Sequence, residues 1–298
     1  MKSVSIAAAL SLLALSSCSP KSGGWEDLLD EDLSKWRVYQ SYALTDEYVP
    51  GHPPVDSLGE VIPPIGYDVN LGEDFSIEEL DGEKVLHIGG RYYGCLFTKE
   101  SLGNYHFRLK VKFGDDKFEP RKNKARDSGI MYHSTGECGH DGWLTWMRAH
   151  EFQVMESGSR EGSYGDYYNN LGTHMDIRSD VRMESPSWSI YSYNPYSPYH
   201  TMGVSGGGAT CGGPDVSDLS AEWTTLDLIC FEDKAIHIVD GNVKMVLRGS
   251  AMWDGEKDIP LTEGQIQLQS EAAEVYYRDV RIRHIDSIPE EYAHLFDE

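Results

Sequence analysis

The sequence predicts an all-β protein, an antiparallel sandwich, on three observations. From Tyr105 to Val111 the residues Tyr105, Phe107, Leu109 and Val111 interleave with His106, Arg108 and Lys110, the period of a strand with one buried face. Similar short runs recur between turn residues, including the hairpin signal Asp240-Gly241. Helical periodicity is nearly absent.

The chain opens with a leader. Lys2 precedes an apolar run from Val4 to Leu15, too short for a membrane span of roughly 20 residues and suited to an export signal. The run ends Leu15-Ser16-Ser17-Cys18, which resembles a bacterial lipobox and implies that residues 1–17 are removed and Cys18 is acylated. Residues 18–24, with Lys21-Ser22-Gly23-Gly24, read as a flexible tether. The expected location is the periplasm, with the membrane reached only through the lipid on Cys18.

No linker composition divides the remainder of the chain, so residues 25–287 read as one domain and 288–298 as a C-terminal tail. Besides Tyr105–Val111, strands are expected at Val85–Ile88, Gly94–Thr98, Ser128–His133, Glu151–Met155, Trp223–Phe231, Ala235–Val239, Val243–Arg248, Gly264–Leu268 and Glu274–Ile282. Two segments break the rhythm. Gly114–Arg126 is polar and mixed in charge, and Asp176–Asp215 is rich in Ser, Tyr, Pro and Gly, so both read as loops, the second long enough to be a lid or an insertion.

A formal net charge of -23 repels phosphate backbones and anionic headgroups, which excludes nucleic acid as a partner and favours neutral or cationic ones. Apart from Cys18, the cysteines are Cys95, Cys138, Cys211 and Cys230. Cys138 and Cys211 lie in Gly-rich stretches and are the expected disulfide, while Cys95 and Cys230 sit in strand-like runs as small apolar residues. The absence of a CxxC pair argues against structural zinc.

The segment richest in chemistry is Glu151-Phe152-Gln153-Val154-Met155-Glu156. In a strand, Glu151 and Gln153 share one face while Phe152 and Val154 take the other. A carboxylate beside an amide suits sugar hydroxyls, although an ordinary solvated sheet face would look the same. Gln265, Gln267 and Gln269 alternate with Ile266 and Leu268, presenting three amides that can both donate and accept.

Taken over most of its length, the chain resembles the 3-keto-disaccharide hydrolase family. The likeness is carried by Gly90-Arg91-Tyr92-Tyr93-Gly94, Thr98-Lys99-Glu100, Arg126-Asp127-Ser128-Gly129-Ile130-Met131-Tyr132-His133, Trp146-Met147-Arg148, Glu151-Phe152-Gln153, Gly165-Asp166-Tyr167-Tyr168, Glu222-Trp223-Thr224, Gly264 to Ser270 and Tyr276 to Ile282. One departure is Met155-Glu156-Ser157-Gly158 with the insertion Ser159 to Tyr164 before Asp166. The resemblance implies a concanavalin-like jelly-roll sandwich of two antiparallel sheets. It further implies an oligosaccharide or glycoside substrate already oxidised at C3 by a separate sugar 3-dehydrogenase. Cleavage would proceed by C2 deprotonation, loss of the C1 substituent and hydration.

That reaction needs a base, an enolate stabiliser and a proton donor. Glu151 and His133 are the expected base and acid, their order left open; His133 could instead be a satisfied structural histidine. Gln153, Gln267, Gln269, Arg91, Lys99, Trp146, Asp166 and Tyr168 are the expected substrate ligands. Tyr132, Trp143 and Tyr167 are further aromatic candidates, about half of the aromatic set being expected as core. No cofactor is fixed by the sequence. A divalent cation held by Asp127, His133, Glu151 and His174 is the alternative means of polarising the ketone.

Two rival readings stand beside this one. The six-residue strand also resembles the Glu-x-Asp-x-x-Glu strand of laminarinase-type retaining glycosidases, but here the middle acid is Gln153. Losing that acid weakens the separation of the two carboxyl pKa values which direct displacement needs. A non-catalytic glycan-binding module is the other, since the same sandwich serves both purposes.

Overall fold

The computed structural model describes residues 23–297 apart from 46, 50, 157, 159–160, 186–187, 204–209 and 219. The leader and Cys18 therefore lie outside the described residues. Around the alternating segment seen in the sequence, the strand runs on to Tyr105–Lys117 and takes Ala273–His284 on one side and Thr224–Phe231 on the other. Apart from the short strands Glu26–Asp27 and Asp258–Pro260, which pair with Ala273–His284 and Asn242–Trp253, the order of this sheet is Phe75–Leu80, Glu83–Ile88, Ala273–His284, Tyr105–Lys117, Thr224–Phe231, Lys234–Val239, Asn242–Trp253, Thr173–Ser185 and Tyr199–Met202.

The second sheet runs Gly66–Tyr67, Trp36–Ala43, Tyr92–Thr98, Gln265–Ser270, Asp127–Thr135, Arg148–Met155, Tyr167–Asn170, Cys211–Gly212 and Trp188–Tyr193. Pairing is antiparallel except between Trp188–Tyr193 and Cys211–Gly212. The strand Thr173–Ser185 passes from one sheet to the other, pairing with Asn242–Trp253 through its first half and with Trp188–Tyr193 through its second. The expected jelly-roll sandwich is thus the architecture observed.

Alternation explains where the core lies. Phe107, Leu109, Val111, Leu226, Leu228, Val275 and Tyr277 from the first sheet meet Leu96, Ile130, Phe152, Val154, Ile266 and Leu268 from the second in one buried cluster. Each such side chain removed from water contributes about 1.5–3 kcal/mol. The opposite face of the second sheet carries a smaller cluster of Tyr39, Tyr93, Cys95, Phe97, Met131, Trp146, Met147 and Ala149. These strands are therefore apolar on both faces wherever a loop covers the outer one.

Three expectations require correction. The long segment expected as a loop, Asp176–Asp215, contains most of Thr173–Ser185 together with Trp188–Tyr193, Tyr199–Met202 and Cys211–Gly212. Period two is present there in Met175, Ile177, Ser179 and Val181, but the surrounding Gly, Pro and Ser content masks it. Gly114–Lys117 likewise continues a strand rather than opening a loop. Finally, the expected pairing of Cys138 with Cys211 does not occur. All four described cysteines are free, and the Sγ nearest Cys138 Sγ is that of Cys95, at 3.9 Å.

The C-terminal segment is ordered against the domain. Ile285, Ile288, Tyr292, Leu295 and Phe296, around a short helix at Glu290–Ala293, cover Ile229, Ile236 and Ile238 on the outer face of the first sheet. Among the described residues no helix is long and apolar enough to cross a membrane.

Candidate active site

The outer face of the second sheet holds a cleft of about 420 Å³ lined by Arg121, Lys124, Asp127, Trp143, Trp146, Glu151, Gln153, Met155, Glu161, Tyr168, Gln269 and Glu271. Its floor is three neighbouring strands. In register, Gly129 stands beside Gln153 and Met131 beside Glu151, while Tyr168 on the next strand pairs with Glu151. Alternation then sends Glu151, Gln153 and Met155 into the cleft, with His150, Phe152 and Val154 turned to the core.

Gly129 makes room at the centre of the floor. A Cβ there would stand 2.5 Å from Glu151 Oε1 and 2.4 Å from Gln269 Oε1, closer than carbon and oxygen can approach. The missing side chain lets the Glu151 carboxyl and the Gln269 amide lie side by side over the strand.

Charge in the cleft is organised by Arg121. Its guanidinium lies 2.5 Å from Asp127 Oδ2, 3.5 Å from Glu161 Oε2 and 3.8 Å from Glu271 Oε1. One cation thus faces several acids, and burial makes ionising all of them costly. Burial, reinforced by the Glu271 charge and opposed by a hydrogen bond from Gln269, pushes Glu151 up to about 8. Burial pushes Glu271 up to about 7 even though Arg121 draws it down. Asp127 is raised well above its ordinary value by burial and by Glu271, against the pull of Arg121.

Aromatic side chains form the wall. Trp146 is nearly buried, its Nε1 donating to Gly94 O at 3.0 Å, and it sits 6.3 Å centroid to centroid from the more open Trp143. Both ride on the 136–147 segment, where Asp141 Oδ1 accepts from the backbone N–H of Thr145 and Trp146 at 2.6 and 3.0 Å. The two indoles give this side of the cleft a flat, largely apolar surface.

Of the residues expected from sequence, Glu151, Gln153, Gln269, Trp146, Tyr168 and Asp127 are brought together here. His133 is not. The register slips between Tyr132 and Thr135, and His133 adopts φ 50°, so this bulge turns its ring into the core beside Tyr105, Tyr132 and His150. There its Nδ1 donates to Leu261 O at 2.9 Å, and burial lowers its pKa to about 4. The expected pairing of Glu151 with His133 is therefore overturned; among the titratable groups that share the cleft, the one whose charge acts most strongly on Glu151 is Glu271.

The expected metal set is likewise dispersed, since His133 lies in the core and His174, at the start of its strand, sits 3.5 Å from Asp258 and outside the cleft lining. Among the described residues no group of three or more His, Cys, Asp or Glu is arranged to hold a metal ion. Gln267 is buried behind the wall, where its Nε2 donates to Ser134 Oγ at 2.8 Å and its Oε1 accepts from Met147 N–H at 3.3 Å.

Arg91, largely exposed, lies against Asp74, and Lys99 Nζ donates to Ser34 O at 2.5 Å on another part of the surface. Asp166 forms an ion pair of 2.9 Å with the fully buried Lys244 and accepts from Ser163 and Gly213 N–H, so it anchors a loop of an adjoining groove. Of the further aromatic candidates, Trp143 lines the cleft, whereas Tyr132 and Tyr167 are core residues.

Sequence reasoning missed Arg121 and Glu271. Glu271 carried a readable signal, because it continues the alternation Gln265, Gln267, Gln269 by one more step. Arg121 carried none, lying in a turn-rich connection whose fold is set by Phe118 O accepting from Arg121 N–H and Arg121 O from Lys124 N–H.

The family model described as "3-keto-alpha-glucoside-1,2-lyase-like domain" matches residues 24–283. No curated protein matches the sequence. Among solved structures, the chain is similar to two proteins of Parabacteroides distasonis ATCC 8503, both described provisionally as glycosyl hydrolases. One is 15% identical, covering 88% of this chain and 100% of that one at a TM-score of 0.44. The other is 14% identical, covering 88% and 94% at 0.47. A Bacillus licheniformis β-glucanase is 10% identical over 90% of this chain and 100% of its own, at a TM-score of 0.40.

Proposed function

Since the chain belongs to the 3-keto-alpha-glucoside-1,2-lyase-like family, we propose that this carbohydrate-active enzyme cleaves 3-keto-glycosides by C2 deprotonation, expulsion of the C1 substituent and hydration. The observation that carries the reading is the pair Glu151 and Glu271, two carboxyls in one cleft held near 8 and 7. At neutral pH such a pair keeps about one proton between its members, so one site contains both a base and an acid.

The C3 ketone makes the C2 hydrogen acidic. The ionised carboxylate takes that proton, and the electron pair moves into the C2–C3 bond as the ketone oxygen becomes an enolate. Arg121, which faces both Asp127 and Glu271, offers N–H donors where that negative charge develops. The enolate then collapses to a C1–C2 double bond, the C1–O bond breaks, and the protonated carboxyl gives its proton to the leaving oxygen. Water adds at C1 and a proton returns to C2 with the two roles reversed, which regenerates the starting protonation state. Gln153, Gln269 and Tyr168, which line the cleft, would hold hydroxyls, and Trp143 and Trp146 would face the ring.

The laminarinase-type alternative needs its second carboxylate at Glu156. That group instead lies 2.6 Å from Arg126 and accepts from the Arg126 backbone N–H, beyond the end of the strand. A purely glycan-binding module would gain nothing from two carboxyls with raised pKa values.

The test uses a 3-keto-glucoside and its unoxidised parent in deuterated solvent. Aglycone release from the ketone alone, with deuterium entering at C2, is expected. Equal cleavage of the parent would falsify the elimination reading.

A further inference from the structure

We propose that Cys95 and Cys138 form a disulfide that staples the tryptophan-bearing segment of the cleft wall to the sheet beneath it. Their Sγ atoms stand 3.9 Å apart, in contact, although 43 residues separate them in sequence. Cys95 lies on Tyr92–Thr98, paired on both sides within the sheet, and Cys138 lies near the start of the segment that presents Trp143 and Trp146.

The surroundings hold both thiols in place. Cys95 Sγ donates to Gln267 Oε1 at 3.2 Å, and that same oxygen accepts from Met147 N–H, at the other end of the segment. The backbone N–H of Cys138 donates to Tyr67 Oη at 2.7 Å. The segment is thus clasped at both ends through the Cys95–Gln267 pair, and the sulfur contact is its natural covalent closure. Cys211 and Cys230 are buried elsewhere in the main core and have no part in it.

The chemistry balances with a disulfide oxidant, either a dithiol-disulfide oxidoreductase or a small disulfide such as oxidised glutathione. Cys138, the less buried of the two, attacks the oxidant as thiolate and expels one of its sulfurs as a thiol. Cys95, once deprotonated, attacks Cys138 Sγ of the mixed disulfide and expels the second. Two protons and two electrons leave the pair, and the oxidant becomes two thiols. Complete burial keeps the Cys95 thiol protonated, so the second step is expected to be slow and to need a transient opening of the segment.

The experiment takes the protein expressed into an oxidising compartment, unfolds it under acid to prevent exchange, and alkylates it before and after reduction. Expected are two cysteines that react only after reduction, a peptide map joining Cys95 to Cys138, and loss of that link in Cys138→Ser. Reduction should also lower the melting temperature on the order of 5 °C, an effect absent in Cys138→Ser. Should Cys138→Ser fail to accumulate, the map of the wild-type protein decides alone. Alkylation of all four cysteines without reduction, after the folded protein has been incubated with oxidised glutathione, would overturn the proposal, as would a link to Cys211 or Cys230.

Discussion

Glu151 and Glu271 share a cleft in which the Glu271 charge discourages Glu151 from ionising. Burial and the Glu271 charge hold Glu151 near 8, and burial holds Glu271 near 7 beside Arg121. Their titration is a property of the pair.

Glu151→Gln keeps the shape and the contact over Gly129 but removes a proton-transfer group. Turnover of a 3-keto-glycoside should fall by about 10²–10⁴, with ligand affinity by calorimetry changed only a few-fold. A variant with full turnover would remove Glu151 from the reaction.

The pH dependence of kcat/KM should be a narrow bell with its maximum between the two apparent values, about 7 and 8. Activity falls below the bell because both carboxyls are protonated, and above it because both are ionised. Glu271→Gln removes the negative neighbour, so the remaining limb from Glu151 should move to lower pH. A limb that stayed in place would show that the two groups do not interact.

Gly129→Ala introduces a methyl at 2.5 Å from Glu151 Oε1 and 2.4 Å from Gln269 Oε1. Both side chains must move, and overpacking of this kind costs about 1–3 kcal/mol. We expect the melting temperature to drop by a few degrees while activity falls at least as far as in Glu151→Gln, which a coupled assay and a thermal melt on the same sample would compare.

Lys244 is fully buried, its Nζ 2.9 Å from Asp166 Oδ1, 2.8 Å from Ser163 Oγ and 3.0 Å from Gly213 O. Lys244→Met leaves Asp166 without its counter-ion and should cost about 3–5 kcal/mol in urea unfolding. Adding Asp166→Asn should recover part of that loss; no recovery would mean that packing rather than charge holds the loop.

The core histidines set the acid limit. Burial lowers His133 from 6.5 to about 4 and His237 from 6.5 to about 3, and lowers His150 as well. Between those values the unfolded chain binds more protons, so this stability is present above pH 6.5 and drains away as pH falls toward 4. Glu151 and Glu271 act oppositely, their contribution being full below 4.5 and lost as pH rises through 7 and 8. His133→Asn, compared with wild type, should therefore lose about 2 kcal/mol less on going from pH 7 to pH 5, whatever its starting stability.

Legibility in the sequence tracks the physics of each region. Tyr105–Val111 and Glu151–Met155 are readable because one buried face writes period two directly into the residues. Thr173–Ser185 carries the same pattern but sits among Pro, Gly and Ser that report local turns, and its pairing across both sheets depends on distant partners. Glu151, Gln153 and Gln269 can be placed by alternation alone. His133 cannot, since one bulge reverses its direction and no residue type announces that bulge. Arg121 comes from a connection whose path is fixed only when the sheet is formed.

The last residues bear on how the enzyme could be handled. Tyr292, Leu295 and Phe296 lie over Ile229, Ile236 and Ile238, on the sheet remote from the cleft. A label, affinity handle or solid support joined beyond Phe296 would emerge from the rear of the molecule, so that immobilised protein would keep its mouth free for bulky glycosides. Trimming those residues would instead bare three isoleucines in a row, inviting self-association.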